Sequence, residues 1–383
     1  MAALLNRLKP IRLKVGLSQQ ALAQLAGISR QAYSALESGA ATPSTEVALR
    51  LARALKTGID ALFSLPEETP EVLHAELVGG ADSAGFPSEL SSKPTLPKRV
   101  QLVQVGDRLL ARPLSGADAT RHSLVDAIGF IISPPEGDNR VAVQPFDPYD
   151  EDTATLGLLG CDPAGALLEP RLRQHGVRMV WSEEGSYDAL LGLARGEAHV
   201  AGCHLRDDET GRYNASWVSR LVPFPCTLVG FAAWQQGLIV AAGNPKDIRS
   251  IEDLARPEIT IVNRQNGSGS RSLLDRLLRY DGIPTLDVAG YQNEVRGHLA
   301  VAFAVSSRIA DAGVGVAAAA SALGLGFVPL EEEQYDLVIP THFLDQPGVQ
   351  VLLDLLRQPG LHRRVETLGG YDVSGMGLPV SAG

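Results

Sequence analysis

The sequence predicts a multidomain protein with an all-α head, a small β module and an α/β C-terminal half. Three patterns predict this: helical spacing near the N-terminus, alternating apolar and polar residues after position 99, and short apolar runs alternating with helical stretches beyond position 153. With 383 residues, 45% hydrophobic and 20% charged, the chain is long enough for two or three domains with their own cores.

Charge is distributed unevenly along the chain. Residues 1–65 hold eight Lys or Arg against three Asp or Glu, a net charge of +5, so the remainder carries −15, given a total of −10. A compact basic unit on an acidic body favours a polyanionic partner at the N-terminus, because phosphate is repelled elsewhere. A solvated basic helix face would explain the same charge, so the residue pattern has to decide.

The pattern over residues 17–55 indicates three short helices with start and stop signals. Ser18 and Ser29 are typical N-cap residues, because a serine hydroxyl accepts an unpaired N–H of the first turn. Gly27 and Gly39 end the first two helices. The two helices joined by "AGI" form a helix-turn-helix. The residues expected on the inner faces are Leu22, Leu25, Ala32, Tyr33, Leu36, Val47, Leu51 and Leu55.

Residues 4–63 resemble the Xre, or lambda-repressor-like, helix-turn-helix family in the stretches "LSQQALAQLAGIS", "SRQAYSALESG" and "PSTEVALRLARAL". The resemblance implies a DNA-binding domain over residues 1–65, with its third helix in the major groove of double-stranded DNA. Arg and Gln suit this role because each can bind a base edge through two hydrogen bonds. The positions carried over as DNA contacts are Gln19, Gln20, Ser29, Arg30, Gln31 and Ser34.

Two segments follow the head. Residues 66–98 are rich in Pro, Gly and Ser, which predicts a linker. Residues 99–150 alternate apolar and polar positions around the turns "GD" and "PPEGDN", which predicts a β module of about four strands without evident chemistry.

The C-terminal half, residues 153–378, predicts a parallel α/β sheet whose loops "GCDP", "SEEGS", "GCHLRD" and "NRQNGSGSR" follow strands. Such loops line the ligand crevice of open α/β sheets. Cys161 and Asp162 lie in the first loop. The candidate ligand contacts are Ser182, Gly185, Ser186, Cys203, His204, Ser268, Gly269, Ser270 and Arg271.

The loop "NGSGSR" has two interpretations. It lacks the spacing and lysine of a Walker loop, and the dinucleotide pattern GxGxxG also fails after Gly269. A match to GxGxxA at Gly313, Gly315 and Ala318 follows a helical stretch and is weak. The first interpretation is a socket for a small anion, built from backbone N–H groups and serine hydroxyls at a helix start. The second is a capped turn in which Ser270 serves only as N-cap.

The same half resembles type II periplasmic-binding-protein domains, and more narrowly the molybdate-binding-like domain fused to helix-turn-helix regulators. The resemblance rests on "GCDPA", "GEAHVAGCHL", "GLIVAAGNP", "VNRQNGSGSR", "ADAGVG", "YDLVIP" and "LGGYDVSGMG" taken together. It implies two lobes that close on a ligand, most often molybdate or tungstate. Arg264 and Arg271 leave a carboxylate or an organic phosphate open, because an arginine fork suits both.

Cysteine usage and hydropathy limit other functions. The three cysteines form no CxxC pair, so neither a disulfide framework nor a zinc or other metal site is predicted. Nothing completes a catalytic apparatus around Cys203 and His204. The uncharged stretch 312–330 is interpreted as strand end, buried helix and strand rather than a membrane span. The N-terminus lacks the apolar core of a signal peptide, which favours the cytoplasm.

These observations predict a one-component transcription regulator, without enzymatic activity or cofactor, whose C-terminal domain senses a small anion and which acts as a homodimer. Two alternatives stay open. The chain could be a metabolic enzyme with an accessory DNA-binding head, or a regulator whose sensor serves only as a dimerisation platform.

Overall fold

The computed structural model describes residues 5–64, 71–78, 98–114, 127–133 and 139–380. These residues form two compact units that divide between Glu71 and Val72. The predicted turn "PPEGDN" lies mostly outside the described residues, as does most of the segment predicted as linker.

The first unit is an all-α head. Its helices are α1 (Leu8–Lys14), α2 (Gln19–Ala26), α3 (Arg30–Glu37), α4 (Thr45–Ala54) and α5 (Ile59–Leu62), and two short strands, β1 (Leu5–Asn6) and β2 (Phe63–Ser64), pair at its ends. Ser18, Ser29 and Ser44 each accept a backbone N–H of the first turn of α2, α3 and α4. Serine caps therefore set where these helices begin, as the sequence predicts for the first two.

The core of the head corrects two predicted inner positions. Tyr33, Leu22 and Leu51 are fully buried, but Leu25 is 61% exposed and Ala32 is also exposed. Helices α2 and α3 are only eight residues long, so each buries a narrow stripe of side chains. Small alanines on α2 complete that stripe instead of Leu25, because they allow the helices to approach closely.

The second unit begins with a closed five-stranded barrel. Its strands are β3 (Leu73–Leu77), β4 (Arg99–Val105), β5 (Arg108–Pro113), β6 (Gly129–Ile131) and β7 (Arg140–Pro145). Four of them lie in the range predicted as a β module, with Gly106 in the left-handed conformation at the turn between β4 and β5. Strand β3 lies inside the range predicted as a linker. That part of the prediction is wrong, because β3 completes the barrel by pairing with both β5 and β7.

The α/β part has one seven-stranded sheet in the order β14-β11-β15-β10-β8-β9, with β16 beside β11. Its strands are β8 (Thr155–Leu159), β9 (Arg178–Ser182), β10 (Val200–Cys203), β11 (Cys226–Val240), β14 (Ala312–Val316), β15 (Gly326–Pro340) and β16 (Tyr371–Asp372), and two short strands, β12 (Asn263–Arg264) and β13 (Glu294–Val295), pair separately. Its helices are α6 (Leu168–Gln174), α7 (Ser186–Ala194), α8 (Ala215–Leu221), α9 (Gly269–Tyr280), α10 (His298–Ser306), α11 (Ala317–Ala322), α12 (Pro347–Leu356) and α13 (Pro359–Glu366).

The sequence predicts a parallel sheet, but this sheet is mixed, because only β8, β9 and β10 pair in parallel. Two long antiparallel strands, β11 and β15, divide it into lobes. At one end of the pair β15 bonds to β10, and at the other end β11 bonds to β14. The first lobe is built on β8, β9 and β10, and the second on β12, β13 and β14. The stretch 312–330 is strand β14, buried helix α11 and the start of β15, as the sequence predicts. Among the described residues no helix has both the length and the apolar composition that crossing a bilayer requires.

The barrel is fastened to the first lobe by two arginines. Arg108 donates to the backbone oxygens of Arg195 and Gly196 at 2.9 and 3.2 Å, and Arg112 donates to that of Glu197 at 2.8 Å. These carbonyls follow the C-terminal end of α7, where a helix carries partial negative charge. The barrel therefore contacts one end of a helix whose other end, at Ser186, faces the cleft between the lobes.

Candidate functional site

The exposed start of α3 carries the residues predicted to read DNA. Arg30, Gln31 and Ser34 are exposed, and Gln20 is exposed at the start of α2. Two other predicted contacts have structural partners instead. The Ser29 hydroxyl accepts the N–H of Ala32 at 3.1 Å, and the Gln19 side chain donates to Glu37 at 3.1 Å. Fewer of the predicted DNA contacts are therefore both exposed and without a partner side chain or backbone group than the sequence suggests.

Glu37 holds the head together through a buried ion pair. Its two carboxylate oxygens accept hydrogen bonds from Arg12 at 2.8 and 2.9 Å. These bonds lower the pKa of Glu37 to about 2, more than its burial raises it. The pair links α1 to the end of α3 and fixes how α3 projects from the head.

In the second unit, the N-cap of α9 is not the residue that the capped-turn interpretation of the "NGSGSR" loop predicts. Ser268, not Ser270, is the N-cap: its hydroxyl accepts the N–H of Arg271 at 3.3 Å and donates to the backbone oxygen of Gln265 at 2.9 Å. Ser270 lies in the first turn, and its fully buried hydroxyl has no hydrogen-bond partner within the described chain. First-turn N–H groups also lack intrahelical acceptors. The loop thus combines a capped turn with one unused hydroxyl donor.

The two arginines of this loop have opposite surroundings. Arg271 contacts Asp275 at 3.1 Å and Glu294 at 2.9 Å, and its guanidinium lies 4.3 Å from the centre of the Tyr291 ring. Arg271 is therefore held by partners within its own lobe.

Arg264 is only 1% exposed, and its Nε donates to the side chain of Gln265 at 3.2 Å. Both of its terminal nitrogens, Nη1 and Nη2, have no hydrogen-bond partner in the described residues. A buried guanidinium in this state is strongly unfavourable unless an anion joins it.

Loops of the two lobes meet at small residues. A Cβ atom placed on Gly185 would lie 3.5 Å from both the backbone oxygen of Gly267 and Cα of Ser268, and 3.4 Å from the side-chain amide of Gln265. A Cβ atom placed on Gly269 would overlap the ring of His204. The lobes are therefore closed on each other, and glycine at position 269 permits the approach of His204, whereas a Cβ atom on Gly185 would make only ordinary van der Waals contacts.

His204 is the centre of a buried polar cluster under this contact. Its Nε2 lies 3.4 Å from Sγ of Cys161, and its Nδ1 lies 2.7 Å from Oε2 of Glu333. Oε2 of Glu333 also accepts bonds from the side chains of Trp234 at 3.3 Å and Gln236 at 2.8 Å. Burial alone would lower the pKa of His204, but Cys161 and Glu333 outweigh it and raise the pKa to about 10.

The remaining predicted contacts differ in their surroundings, and one of them, Ser186, supports the cluster. Ser186 is fully buried, and its hydroxyl accepts the backbone N–H of His204 at 3.1 Å. Ser182 lies 3.4 Å from Glu184, at the end of β9. Cys203 is part of an apolar core, and burial raises its pKa far above the ordinary value. Burial likewise raises the pKa of Asp162 to about 6, although its Oδ1 accepts hydrogen bonds from Tyr371 and Ala164.

Comparisons with known proteins match the N-terminal head and the C-terminal part to different families. A helix-turn-helix family model matches residues 8–62. The HTH-type transcriptional regulator YgzD of Bacillus subtilis (strain 168) is 35% identical over 63 residues, which cover 96% of YgzD and 16% of this chain. A model described as "PBP superfamily domain" matches residues 169–357. The chain belongs to the helix-turn-helix family and carries a PBP superfamily domain.

Other relatives match larger parts of the chain than YgzD does. The chain is 37% identical to the protein YvgK of Bacillus subtilis (strain 168) over 190 residues, 49% of this chain and 61% of YvgK, so it spans less than two thirds of that relative. A solved structure of a tungstate ABC transporter from Geobacter sulfurreducens aligns with 56% of this chain and 98% of its own, at 15% identity and a TM-score of 0.43.

The sequence does not predict several residues of the polar cluster around His204. Glu333 and Trp234 lie on the long strands, and His298 is the first residue of α10. The available sequence signal for His298 is the glycine before it, because glycine is a favourable N-cap residue and Gly297 is the N-cap of α10. No local pattern marks the strand residues, since they join the site only when the two lobes share one sheet.

Proposed function

We propose that this protein is a one-component transcription regulator whose head binds double-stranded DNA and whose C-terminal domain senses a small anion. A helix-turn-helix domain joined to a PBP-like ligand-binding domain supports the general form of the proposal. Its proposed setting is the cytoplasm, where the DNA is, without a membrane partner. The proposal includes no enzymatic activity.

The observation that supports an anionic ligand is the buried state of Arg264. Its two terminal nitrogens are buried without a partner, and the Ser270 hydroxyl is also buried without one. An anion between the lobes would accept hydrogen bonds from such donors and from the first-turn N–H groups of α9. The guanidinium charge would at the same time be neutralised. One ligand thus accounts for two otherwise costly buried groups.

A compact oxyanion suits this setting better than a larger organic anion. Gly185 contacts the Gly267–Ser268 loop and His204 contacts Gly269, so little room separates the lobes. Molybdate or tungstate is the first candidate, because the resemblance to molybdate-binding-like domains implies it. A carboxylate or an organic phosphate is the alternative, since Arg264 offers the planar fork that both bind.

The proposed signal passes from the cleft to the barrel through α7. The N-terminal end of α7 lies at Ser186 and His204, and its C-terminal end is bonded to Arg108 and Arg112. A ligand that binds the closed lobes better than open ones would shift the population toward the closed form. In a homodimer, such a shift would change the spacing of two DNA-reading heads.

Calorimetry and thermal unfolding with molybdate, tungstate, phosphate, small carboxylates and sugar phosphates test the proposal. A specific anion should bind the wild type and raise its unfolding temperature. Arg264→Met should abolish that binding yet raise the stability of the ligand-free protein, because it removes an uncompensated buried charge. Arg271→Met is the matched control and should keep the binding.

The alternatives give different results. Turnover of a bound compound would favour the metabolic enzyme, and the failure of every anion to bind would favour the dimerisation platform. Arg264→Lys separates the ligand classes. It should weaken the binding of a carboxylate or an organic phosphate more than the binding of molybdate or tungstate, because lysine cannot form the planar pair of hydrogen bonds.

A further inference from the structure

The cleft contains a second set of groups that anion sensing does not use. Cys161, His204 and His298 each offer one ligand atom, and these three atoms lie within 4.8 Å of one another. All three residues are buried, with exposed fractions of 1% or less. They come from three separated stretches of chain: the loop after β8, the loop after β10 and the start of α10.

The donor set is that of a transition-metal site. Thiolate and imidazole are both ligand types of Zn²⁺, and three protein groups are the number in catalytic-type zinc sites, which keep one position open. The set of two histidines and one cysteine also occurs in copper sites. Bonds of about 2.0–2.3 Å to such an ion bring neighbouring ligand atoms to roughly 3.5 Å apart in a tetrahedron. The 3.4 Å separation of Cys161 Sγ and His204 Nε2 already has this value.

The surroundings of His204 fit the same chemistry. Imidazoles that bind a metal usually donate their other ring N–H to a carboxylate, which fixes the tautomer and the ring orientation. His204 has this arrangement, because its Nδ1 faces Glu333 at 2.7 Å while Nε2 faces Cys161. Trp234 and Gln236 hold the carboxylate in turn. The ring is therefore oriented before any ion arrives.

The cluster also spans the cleft. Cys161 and His204 belong to the first lobe, whereas His298 begins α10 in the second. An ion bound by all three would tie the lobes in the closed arrangement, since opening would remove one ligand.

We propose that Cys161, His204 and His298 form a cleft-closing site for a divalent transition metal ion of the Zn²⁺ class, with Glu333 as the group that orients His204. The site leaves one coordination position open to water or an anion. It goes beyond the proposed anion sensing, because metal binding requires neither Arg264 nor an oxyanion.

Titrations of the full-length, chelator-treated protein in buffer free of oxyanions test the site. Calorimetry should give one Zn²⁺ per chain, and Co²⁺ should produce the visible bands of a tetrahedral ion together with a near-ultraviolet thiolate charge-transfer band. Cys161→Ser should remove the charge-transfer band, and Cys226→Ser, at a half-buried cysteine outside the cluster, should keep it. His298→Gln should lower Zn²⁺ affinity at least tenfold, with His342→Gln, an exposed histidine, as control.

Several outcomes would overturn the site. They are a wild-type protein that binds no Zn²⁺, a wild-type Co²⁺ spectrum without the thiolate band, and Zn²⁺ affinity that Cys161→Ser and His298→Gln leave unchanged. The first two need no variant, so misfolding of a variant cannot obscure them. Failure of every oxyanion to bind, with Zn²⁺ binding intact, would contradict the anion sensor and leave the metal site standing.

Discussion

Nδ1 of His204 lies 2.7 Å from Oε2 of Glu333, so a loop of the first lobe is bonded to a strand that connects both lobes. Trp234, which is the cross-strand partner of Glu333 in the sheet register, donates to the same carboxylate oxygen. The polar centre of the cleft is therefore built on the paired strands β11 and β15. Movement of the lobes about these strands would change the surroundings of His204 directly.

The free hydroxyl of Ser270 and the capping hydroxyl of Ser268 should respond differently to removal. Ser270→Ala should weaken anion binding by about ten- to a hundredfold, because a hydrogen bond to a charged group contributes about 1.5–3 kcal/mol. Ser268→Ala should instead lower the free energy of unfolding by about 1 kcal/mol through the lost helix cap. Calorimetry for binding and urea unfolding for stability measure the two effects. If Ser270→Ala left anion binding unchanged and Ser268→Ala weakened it, Ser270 would have no part in the anion site.

A side chain at Gly269 should prevent the closed arrangement. Gly269→Ala places a methyl group in the ring of His204, so we expect both anion and Zn²⁺ affinity to fall by more than tenfold. Gly375→Ala is the control, since nothing lies within 4 Å of a Cβ atom there. Calorimetry of both variants checks this. Wild-type affinity in Gly269→Ala would mean that ligands bind without this contact between the lobes.

The arginines of the barrel should couple the cleft to the rest of the chain. Arg108→Ala combined with Arg112→Ala removes the bonds to the carbonyls after α7. We expect anion affinity to stay within about twofold, while the effect of the anion on promoter binding is lost. Fluorescence anisotropy with labelled promoter DNA, with and without the anion, measures this. A double variant that keeps the full anion effect would exclude this route.

DNA recognition should depend on the exposed start of α3. Arg30→Ala should reduce the preference for the promoter over unrelated DNA by about 1–3 kcal/mol if the side chain binds a base edge through two bonds. Arg50→Ala removes the same charge from α4, where Arg50 is paired with Glu46, and should change both affinities equally. Competition binding at fixed salt separates these cases, because salt changes phosphate contacts strongly. If Arg30→Ala, like Arg50→Ala, lowered the affinity for promoter and unrelated DNA equally, Arg30 would contribute only attraction to phosphate.

The head should lose stability in acid through Glu37. Its pKa is about 2 in the folded head, against an ordinary value of 4.5, so the Arg12 pair stabilises the head fully above about pH 4.5. That contribution is lost as pH falls through this range toward 2, because the unfolded chain takes up the proton first. Hydrogen exchange of the head amides between pH 6 and 3 should show the loss in the wild type. Glu37→Gln should show low protection at both pH values.

Local patterns in the sequence determined the parts of this protein whose energetics are local. Ser18 and Ser29 satisfy N–H groups only three residues ahead, and Gly27 and Gly39 supply the left-handed conformation that follows α2 and α3. Helix starts, the helix-turn-helix and the alternation of the C-terminal half could therefore be predicted.

Tertiary structure alone decided which polar groups have partners. Arg264 and Arg271 look equivalent in "NRQNGSGSR", but Asp275, Glu294 and Tyr291 occupy Arg271 and leave the terminal nitrogens of Arg264 unbonded. Likewise Cys161, His204 and His298 have no common motif, and they meet only because the long paired strands bring two lobes face to face. Such contacts depend on packing between distant segments, which residue spacing along the chain does not encode.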